Sequence, residues 1–277
     1  MSTDGTGVPA PLAEPQLASI PGVLGTIARE RAQDYAGRDL PSGQPDPNAN
    51  RTFYEALSQP GLAFICEVKR SSPSQGEIRQ LDPVDTATAY RRGGAAAVSV
   101  LTEPRHFGGS LSDLEAVTRT VGLPAMRKEF VVHPAQLAEA VEAGAQAALL
   151  MVSVLGERTA EYVAYARTLG IETLVEVHNE PELEVALAAA APIIGVNNRD
   201  LTSLDVDRST APALIKLARE RGYDGLLVAE SGYAQPSDLT SILGLADAIL
   251  VGTALARAGN PEEALARLKA ASAEAEA

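Results

Sequence analysis

Several apolar runs in this chain carry a charged or amide residue at or near their carboxyl end. These residues are Glu67 and Lys69, Lys128, Glu176, Asn197 and Glu230. Taken singly, each is best interpreted as a solvated strand end or half of an ion pair. Two lysines and three glutamates converging on one cavity are hard to explain by stability, however, because a buried ion is costly unless it is paired. The set therefore favours a site for ionic or proton-transfer chemistry.

Two loops have residues that suit a phosphate group. Ser231 and Gly232 follow the run "LLVAE", and Gly252 and Thr253 follow "AILV" just before a stretch with helical spacing. Glycine lets the backbone approach a ligand closely, hydroxyl groups donate hydrogen bonds, and a helix N-terminus favours anions. Ser72, after the first apolar run, offers another hydroxyl. One Ser-Gly pair marks any turn, so the predicted phosphate site depends on both loops lying at the same end of the fold.

Eight apolar, β-branched runs alternate with stretches of helical periodicity. The runs cover residues 62–69, 95–101, 123–128, 147–153, 171–177, 192–197, 225–230 and 246–252. Helical stretches at 134–144 and 158–170 end at a glycine, as helices commonly do. This alternation predicts parallel strands joined by crossover helices, and eight units favour a closed barrel over an open doubly wound sheet. The predicted fold class is α/β, a (β/α)8 TIM barrel with an extra N-terminal helical segment.

The extra segment precedes the first strand. Residues 20–37 have the pattern of an amphipathic helix, and a linker rich in Pro, Gly and Asn follows at 40–50. We expect residues 1–19 to be a flexible tail, 20–50 to be the extra helix and linker, and 51–277 to be a single barrel domain. The extra helix is in a position to cover one end of the barrel.

Strand geometry indicates which side chains face the barrel axis. The carboxyl ends of the strands form the mouth where barrel enzymes carry their catalytic groups. Side chains alternate along a strand, so Glu67 and Lys69 are expected to face the axis while Cys66 and Val68 face the helices. Cys66 is the only cysteine in the chain, and this placement favours packing over a nucleophilic role.

Composition and charge exclude several classes of function. The 36 acidic and 23 basic residues give a formal net charge of −13, which disfavours nucleic acid and membrane partners. One cysteine can form no intrachain disulfide, and no apolar run approaches the length of a membrane span. The first residues lack a basic flank and an apolar block, so we expect a cytoplasmic protein.

No cofactor or metal site is predicted. His106, His133 and His178 follow predicted strands, but no two of them have metal-ligand spacing. The segment "GGAAAVSV" places glycines before a strand, the reverse of a dinucleotide-binding motif.

Seven segments of the chain resemble the indole-3-glycerol phosphate synthase family. In the family's order, they are "EVKRSSPSQG", "SVLTEPRHFGGSLSDL", "RKEFVVHP", "LVEVHNEPEL", "IIGVNNRDL", "VAESGY" and "ILVGTALAR". The resemblance implies a (β/α)8 fold with an N-terminal helix over the active site. It also implies that 1-(2-carboxyphenylamino)-1-deoxyribulose 5-phosphate is closed to indole-3-glycerol phosphate in tryptophan biosynthesis, without cofactor or metal. The expected partner is this anionic sugar phosphate, and we expect a monomer or weak homodimer.

The resemblance assigns roles to particular residues. The family's catalytic positions correspond to Glu67, Lys69, Lys128, Glu176, Asn197, Glu230 and Ser231. Substrate or phosphate contacts are implied at Ser72, Phe107, Arg199, Gly232, Gly252 and Thr253. Three segments depart from the family pattern: "KEF" has Glu where Asp is usual, "HFGG" has His106 where Tyr or a basic residue is familiar, and "HPAQ" replaces Asp-Pro-Tyr-Gln.

The implied chemistry explains why these residue types are needed. Ring closure requires an acid that protonates the ketone oxygen as the aromatic carbon attacks, and Lys128 is the candidate. Lys69 can hold the substrate carboxylate until it leaves as carbon dioxide. Glu176 is the candidate base for the dehydration, and the sequence leaves open whether Lys69 or Glu67 supplies the acid. It also leaves the direction of the Lys128 pKa shift open, because burial lowers this pKa and carboxylates raise it.

Two alternatives compete with this interpretation. A phosphoribosyl-anthranilate isomerase shares the phosphate site, but such isomerases use a Cys/Asp or Asp/Asp pair where this chain has Glu and Lys. A barrel that has lost catalysis, and binds only a phosphate ligand or a partner protein, is the second alternative. The complete set of charged residues argues against this second alternative. Only a measurement of activity separates an active enzyme from a barrel that has lost catalysis.

Overall fold

A closed barrel of parallel strands forms the centre of the computed structural model, which describes residues 7–40, 53–200 and 202–276. The strands are β1 (Ala63–Val68), β2 (Ala97–Leu101), β3 (Ala125–Lys128), β4 (Ala147–Met151), β5 (Glu172–Val177), β6 (Ile193–Asn197), β7 (Leu226–Glu230) and β8 (Ala248–Val251). Neighbours in the chain pair with each other, and β8 pairs with β1. The predicted (β/α)8 fold is thus confirmed, and every strand lies within two residues of its predicted ends.

Helices join the strands and cover the outside of the barrel. They are α1 (Glu14–Ser19), α2 (Gly22–Asp34), α3 (Phe53–Leu57), α4 (Pro83–Arg92), α5 (Leu111–Thr120), α6 (Ala135–Glu142), α7 (Val152–Leu155), α8 (Thr159–Thr168), α9 (Glu180–Ala188), α10 (Thr210–Glu220), α11 (Pro236–Leu239), α12 (Thr253–Arg257) and α13 (Pro261–Glu276). Side chains of Asp82, Ser110 and Asn179 accept backbone N–H groups at the starts of α4, α5 and α9. None of the described helices is long and apolar enough to cross a membrane.

The strands are mostly apolar because both of their faces are buried. One face packs against the helices and the other fills the barrel, so β1 is buried at all six positions. Cys66 is fully buried, and burial raises the pKa of its thiol, which keeps it protonated and unreactive.

The N-terminal segment packs on the barrel. Helix α2 matches the helix expected at 20–37, but α1 lies inside the expected tail, where Leu12 and Leu17 are buried. The Leu12 N–H donates a 2.8 Å hydrogen bond to Val132 O after β3. A helix of six residues is too short to show periodicity, so α1 could not be predicted from the spacing of its apolar residues. Residues 1–6 of the tail and 41–50 of the linker lie outside the described residues, and the division into tail, linker and barrel stays a prediction.

Candidate active site

A cavity of about 400 Å³ opens at the carboxyl end of the strands. All thirteen residues singled out in the sequence line it, as do Val23, Leu24 and Ile27 of α2, which therefore lies over the mouth. The thirteen are Glu67, Lys69, Ser72, Phe107, Lys128, Glu176, Asn197, Arg199, Glu230, Ser231, Gly232, Gly252 and Thr253. The structure thus brings them together, while their individual roles stay predictions.

Lys128 projects from β3 between two buried carboxylates. Its Nζ lies 3.2 Å from Glu176 Oε2 and 3.5 Å from Glu230 Oε2. Burial lowers the pKa of Lys128, but Glu176, Glu230 and Glu67 more than offset this effect, so the pKa is raised above its ordinary value. The question left open by the sequence is answered in favour of the carboxylates, and Lys128 is a charged ammonium at neutral pH.

Glu67 and Lys69 form a second ion pair across the mouth. Lys69 Nζ lies 2.6 Å from Glu67 Oε1, and both side chains are largely shielded from solvent. Gly252 makes room for this pair, because a Cβ at its position would collide with the Glu67 carboxylate and stand 3.1 Å from Lys69 Nζ. The glycine predicted for phosphate binding thus also fits against the charged pair.

The two carboxylates beside Lys128 differ in their proton affinity. Burial and the charges of Glu176 and Glu67 outweigh the opposing effect of Lys128 and raise the pKa of Glu230 to about 8. Burial also disfavours the charge on Glu176, but Lys128, His178 and Asn197 outweigh it and lower the pKa of Glu176 below its ordinary value. Neighbouring groups therefore keep Glu176 ionised and Glu230 largely protonated at neutral pH.

One oxygen of each carboxylate makes no hydrogen bond. Glu176 Oε1 and Glu230 Oε1 are buried and have no hydrogen-bond partner within the described part of the chain, although His178 Nε2 lies 3.4 Å from Glu176 Oε1. Glu230 Oε1 therefore remains an acceptor that a ligand or a proton can satisfy.

Two residues that contact these carboxylates, Gly195 and His178, were not predicted from the sequence to belong to the site. A Cβ at Gly195 of β6 would collide with the Glu230 carboxylate and with Leu174, so only glycine leaves space for Glu230. His178, interpreted only as a loop residue, has Nε2 3.4 Å from Glu176 Oε1. The spacing "EVH" was the available signal, because Glu176 and His178 are two residues apart and so share a face.

The expected phosphate loops lie at the same end of the cavity. Ser231 has φ 65° and Gly232 has φ 90°, so the chain turns sharply after β7 and directs its backbone to the cavity. Asn198, another residue missed in the sequence, stabilises this turn. Its Nδ2 donates to Ser231 O at 2.9 Å and to Tyr233 Oη at 3.1 Å, and its Oδ1 accepts the Ala211 N–H at 2.8 Å.

Part of the cavity wall is apolar. Phe107 and Phe130 pack with ring centroids 5.8 Å apart, and Leu101, Leu149 and Met151 also line the cavity. Apolar side chains of α2 complete this part of the wall. The cavity therefore combines apolar and aromatic side chains with a few charged groups, as is usual for small-molecule sites.

The three departures from the family pattern contribute contacts near the mouth. Glu129 of "KEF" accepts hydrogen bonds from Arg31 of α2 at 3.0 Å and from Thr102 at 2.8 Å. His106 Nε2 lies 2.8 Å from Glu30 Oε2, also on α2. His133 of "HPAQ" accepts the Ala135 N–H at its Nδ1, 3.1 Å away, and its ring centroid lies 5.9 Å from that of Tyr35. Two of these departures thus connect the barrel to α2.

No cluster of three or more metal-ligating side chains occurs among residues 7–40, 53–200 and 202–276. The closed barrel, with charged side chains at the carboxyl ends of its strands, defines the class of this chain as a (β/α)8 barrel with its candidate active site at the end where barrel enzymes carry theirs.

Comparison with known proteins identifies the family. Residues 25–268 match the family model described as indole-3-glycerol phosphate synthase. A protein of that name from Deinococcus radiodurans is 54% identical over 252 residues, which are 89% of this chain and 94% of that protein. One from Rhodococcus jostii is 42% identical, covering 87% of this chain and 89% of that protein. The chain belongs to the indole-3-glycerol phosphate synthase family.

Solved structures of other enzymes share the fold. Thiamine phosphate pyrophosphorylase from Pyrococcus furiosus superposes with a TM-score of 0.57 at 14% identity, over 77% of this chain and 96% of that one. Tryptophan synthase subunit alpha from Legionella pneumophila gives a TM-score of 0.56 at 14% identity, over 77% of this chain and 93% of that one. These likenesses support the barrel architecture only.

Proposed function

We propose that this chain is an indole-3-glycerol phosphate synthase, which converts 1-(2-carboxyphenylamino)-1-deoxyribulose 5-phosphate to indole-3-glycerol phosphate, carbon dioxide and water in tryptophan biosynthesis. The observation that carries the proposal is the Lys128 ammonium, held between Glu176 and Glu230 at the floor of the cavity. Family membership and the loops after β7 and β8 add support. We further propose that the enzyme acts in the cytoplasm, as a monomer or weak homodimer.

Ring closure is assigned to Lys128. The aromatic carbon that bears the carboxylate attacks the ketone carbon, and Lys128 gives a proton to the ketone oxygen as the new carbon–carbon bond forms. The raised pKa of Lys128 supports this role, since the group is protonated before the reaction begins. A positioned general acid contributes about 10²- to 10⁴-fold to such a step.

Decarboxylation is assigned to the neighbourhood of Lys69. Its ammonium can pair with the substrate carboxylate, in competition with Glu67, until the bond to the ring breaks and carbon dioxide leaves. The electrons of that bond restore the aromatic ring. The apolar wall at Phe107 then faces an aromatic product with one charge fewer than the substrate.

Dehydration needs a base and an acid. Glu176 is assigned as the base because neighbouring groups keep it ionised despite its burial. The proton that leaves with the hydroxyl group is assigned to the Lys69–Glu67 pair, whose 2.6 Å contact makes the two residues one proton-donating unit. Asn197 and Glu230 are assigned to holding the lysines and the substrate hydroxyl groups.

Phosphate binding is assigned to the loops after β1, β7 and β8. Hydroxyl groups of Ser72, Ser231 and Thr253 and the backbone at Gly232 and Gly252 line that end of the cavity. Arg199 is assigned to supporting the site around Asn197, because its backbone N–H donates to Asn197 Oδ1 at 3.0 Å.

The first experiment is an indole assay. The carboxyphenylamino-deoxyribulose phosphate is added to purified protein without metal or nucleotide, and absorbance and fluorescence report the indole product. The chain contains no Trp, so the protein has no indole background of its own. Product formation is the expected result. Tight binding without product would instead support a barrel that has lost catalysis, and neither binding nor product would mean a different substrate.

A further inference from the structure

We propose that His178 is a positioning residue for Glu176: as an imidazolium fixed by Glu182, it holds the Glu176 carboxylate ionised and directed at Lys128. The proposal rests on the proposed role of Glu176 as the base. It concerns a residue outside the thirteen positions that the sequence pointed to.

The geometry places His178 between two carboxylates. Its Nε2 lies 3.4 Å from Glu176 Oε1, and its Nδ1 lies 3.0 Å from Glu182 Oε2. The Oε2 atom of Glu182 also accepts the His178 backbone N–H at 2.8 Å. A neutral imidazole has one N–H donor, whereas two flanking carboxylates ask for two donors, which only the imidazolium has.

Helix α9 holds Glu182 in place. Asn179 is the N-cap of α9, where its Oδ1 accepts the Glu182 N–H and its Nδ2 donates to Glu182 Oε1, both at 3.0 Å. Glu182 lies in the first turn of α9, where a negative charge is favoured by the helix dipole. The orientation of His178 is therefore fixed from outside the cavity.

His178 acts on Glu176 from the side away from the ligand. It is not among the residues that line the cavity, and its side chain is 13% exposed. Glu176 Oε2 faces Lys128 at 3.2 Å, and Oε1, which has no hydrogen-bond partner in the described parts of the chain, faces His178. The carboxylate is thus held between two cations, and one of them cannot reach the substrate.

The other charged groups around His178 also favour its protonated form. They are Glu176 on its own strand, Glu182 on α9 and, at longer range, Asp200 in the loop after β6. Burial lowers the pKa of His178, but Glu176 and Glu182 outweigh it and raise the pKa to about 10. Lys128 touches Glu176 from β3, so the four charges alternate in sign from Lys128 to Glu182.

The first test measures the charge on His178 and needs no activity. The chain has three histidines, so ring-labelled protein and three single variants assign every imidazole resonance in an NMR titration. His178 is expected to stay protonated well above its ordinary pKa of 6.5. In a Glu176→Gln variant, this pKa should fall by about one unit or more, because an adjacent carboxylate is lost. Titration of His178 near 6.5, or no response to Glu176→Gln, would overturn the proposal.

The second test uses the pH dependence of kcat. His178→Gln keeps a donor of similar reach without the charge, so the pKa of Glu176 rises and the acidic limb of the profile moves up by about one pH unit or more. KM is expected to stay unchanged because His178 does not reach the cavity. Glu182→Gln should move the acidic limb in the same direction, but by less than His178→Gln does.

Asp82→Ala is the matched control. It removes the N-cap of α4, which accepts the Val84 and Asp85 N–H groups, and it touches neither His178 nor the two carboxylates. An equal loss of kcat at every pH in His178→Gln, or an equal shift in Asp82→Ala, would show a merely structural role and overturn the proposal. If the wild-type protein forms no indole product, the proposed function fails, whereas the titration still decides the state of His178.

Discussion

Arg127 and Lys128 follow each other on β3, yet their side chains enter two ion clusters of opposite character. Lys128 faces the barrel mouth, where Glu176 and Glu230 each leave one oxygen without a hydrogen bond among the described residues. Arg127 faces the helices and is fully buried. The two clusters differ in how completely their hydrogen-bonding groups are paired.

The Arg127 cluster uses its hydrogen-bonding capacity fully. The guanidinium donates to Thr102 Oγ1 at 3.1 Å, Gln136 O at 2.5 Å, Glu139 Oε2 at 3.2 Å and Tyr35 Oη at 3.1 Å. Glu129 lies 3.4 Å from it and also binds Arg31 of α2. A buried network of this kind holds its elements in one arrangement because every member is satisfied.

The ion cluster at the mouth, in contrast, does not use its full hydrogen-bonding capacity. Unpaired buried carboxylate oxygens cost stability, and a chain selected for stability alone would pair or remove them. Glu176 Oε1 has His178 beside it at 3.4 Å, so Glu230 Oε1 is the carboxylate oxygen at the mouth that is left for a ligand or a proton. The comparison indicates that a buried ion cluster with unused hydrogen-bonding capacity is a better candidate site than one in which every group is paired.

The largest effect is expected from Lys128→Ala. The variant should lose turnover by about 10²- to 10⁴-fold because the acid for ring closure is gone. Substrate binding measured by calorimetry should persist, since the phosphate loops remain. Lys216→Ala removes an exposed lysine on α10 and serves as the control. Unchanged turnover in Lys128→Ala would contradict the mechanism.

Arg127→Ala should act on stability. Loss of the guanidinium takes one cation from both Glu129 and Glu139, which keep Arg31 and the largely exposed Arg38 as partners. The free energy of unfolding should fall by about 3–5 kcal/mol in urea titrations, because a buried ion network loses its central member. Arg119→Ala breaks an exposed pair with Glu115 and should change it by less than about 1 kcal/mol. Equal effects of the two variants would remove the contrast between buried and exposed pairs.

Gly195→Ala tests the mouth without changing any charge. The added methyl group displaces Glu230 and should lower kcat by up to about 10²-fold, the size of effect that a small misplacement can have. Gly259→Ala is the control, since a Cβ there meets nothing within 4 Å. A wild-type kcat in Gly195→Ala would mean that the position of Glu230 is unimportant.

The smallest effect concerns the pH dependence of stability. The pKa of Glu230 is raised from 4.5 to about 8 in the folded state, so its contribution is present below 4.5 and is lost as pH rises through about 8. The Glu230→Gln variant has no carboxyl group to ionise here, so it does not lose stability in this way. Its free energy of unfolding relative to that of the wild type should therefore increase with pH, by on the order of 1 kcal/mol or more. Urea titrations at low and high pH measure the difference, and a constant difference would refute the raised pKa.

Much of the fold and the composition of the cavity could be predicted from local patterns. The eight apolar runs predicted the strands, and the polar residues at the ends of these runs predicted the side chains around the mouth. The roles of those side chains stay predictions, because neither the fold nor the family match tests them.

The rest depended on neighbours that are distant in the sequence. Gly195 matters only because Glu230 lies on the adjacent strand, and Asn198 only because it reaches the turn at Ser231. Arg31 and Glu129 are 98 residues apart, so their pairing has no local signature. Such contacts become visible only once the barrel brings its strands together.

The contact between Arg31 and Glu129 also constrains the order of events during synthesis. Helix α2 leaves the ribosome before any barrel strand, and its partner on β3 follows 98 residues later. Until then, Leu24 and Ile27 have no barrel mouth to cover and are exposed to other chains and to chaperones. Contacts between segments so distant in the sequence form late. We therefore expect the packing of α2 over the barrel mouth to be among the last steps of folding.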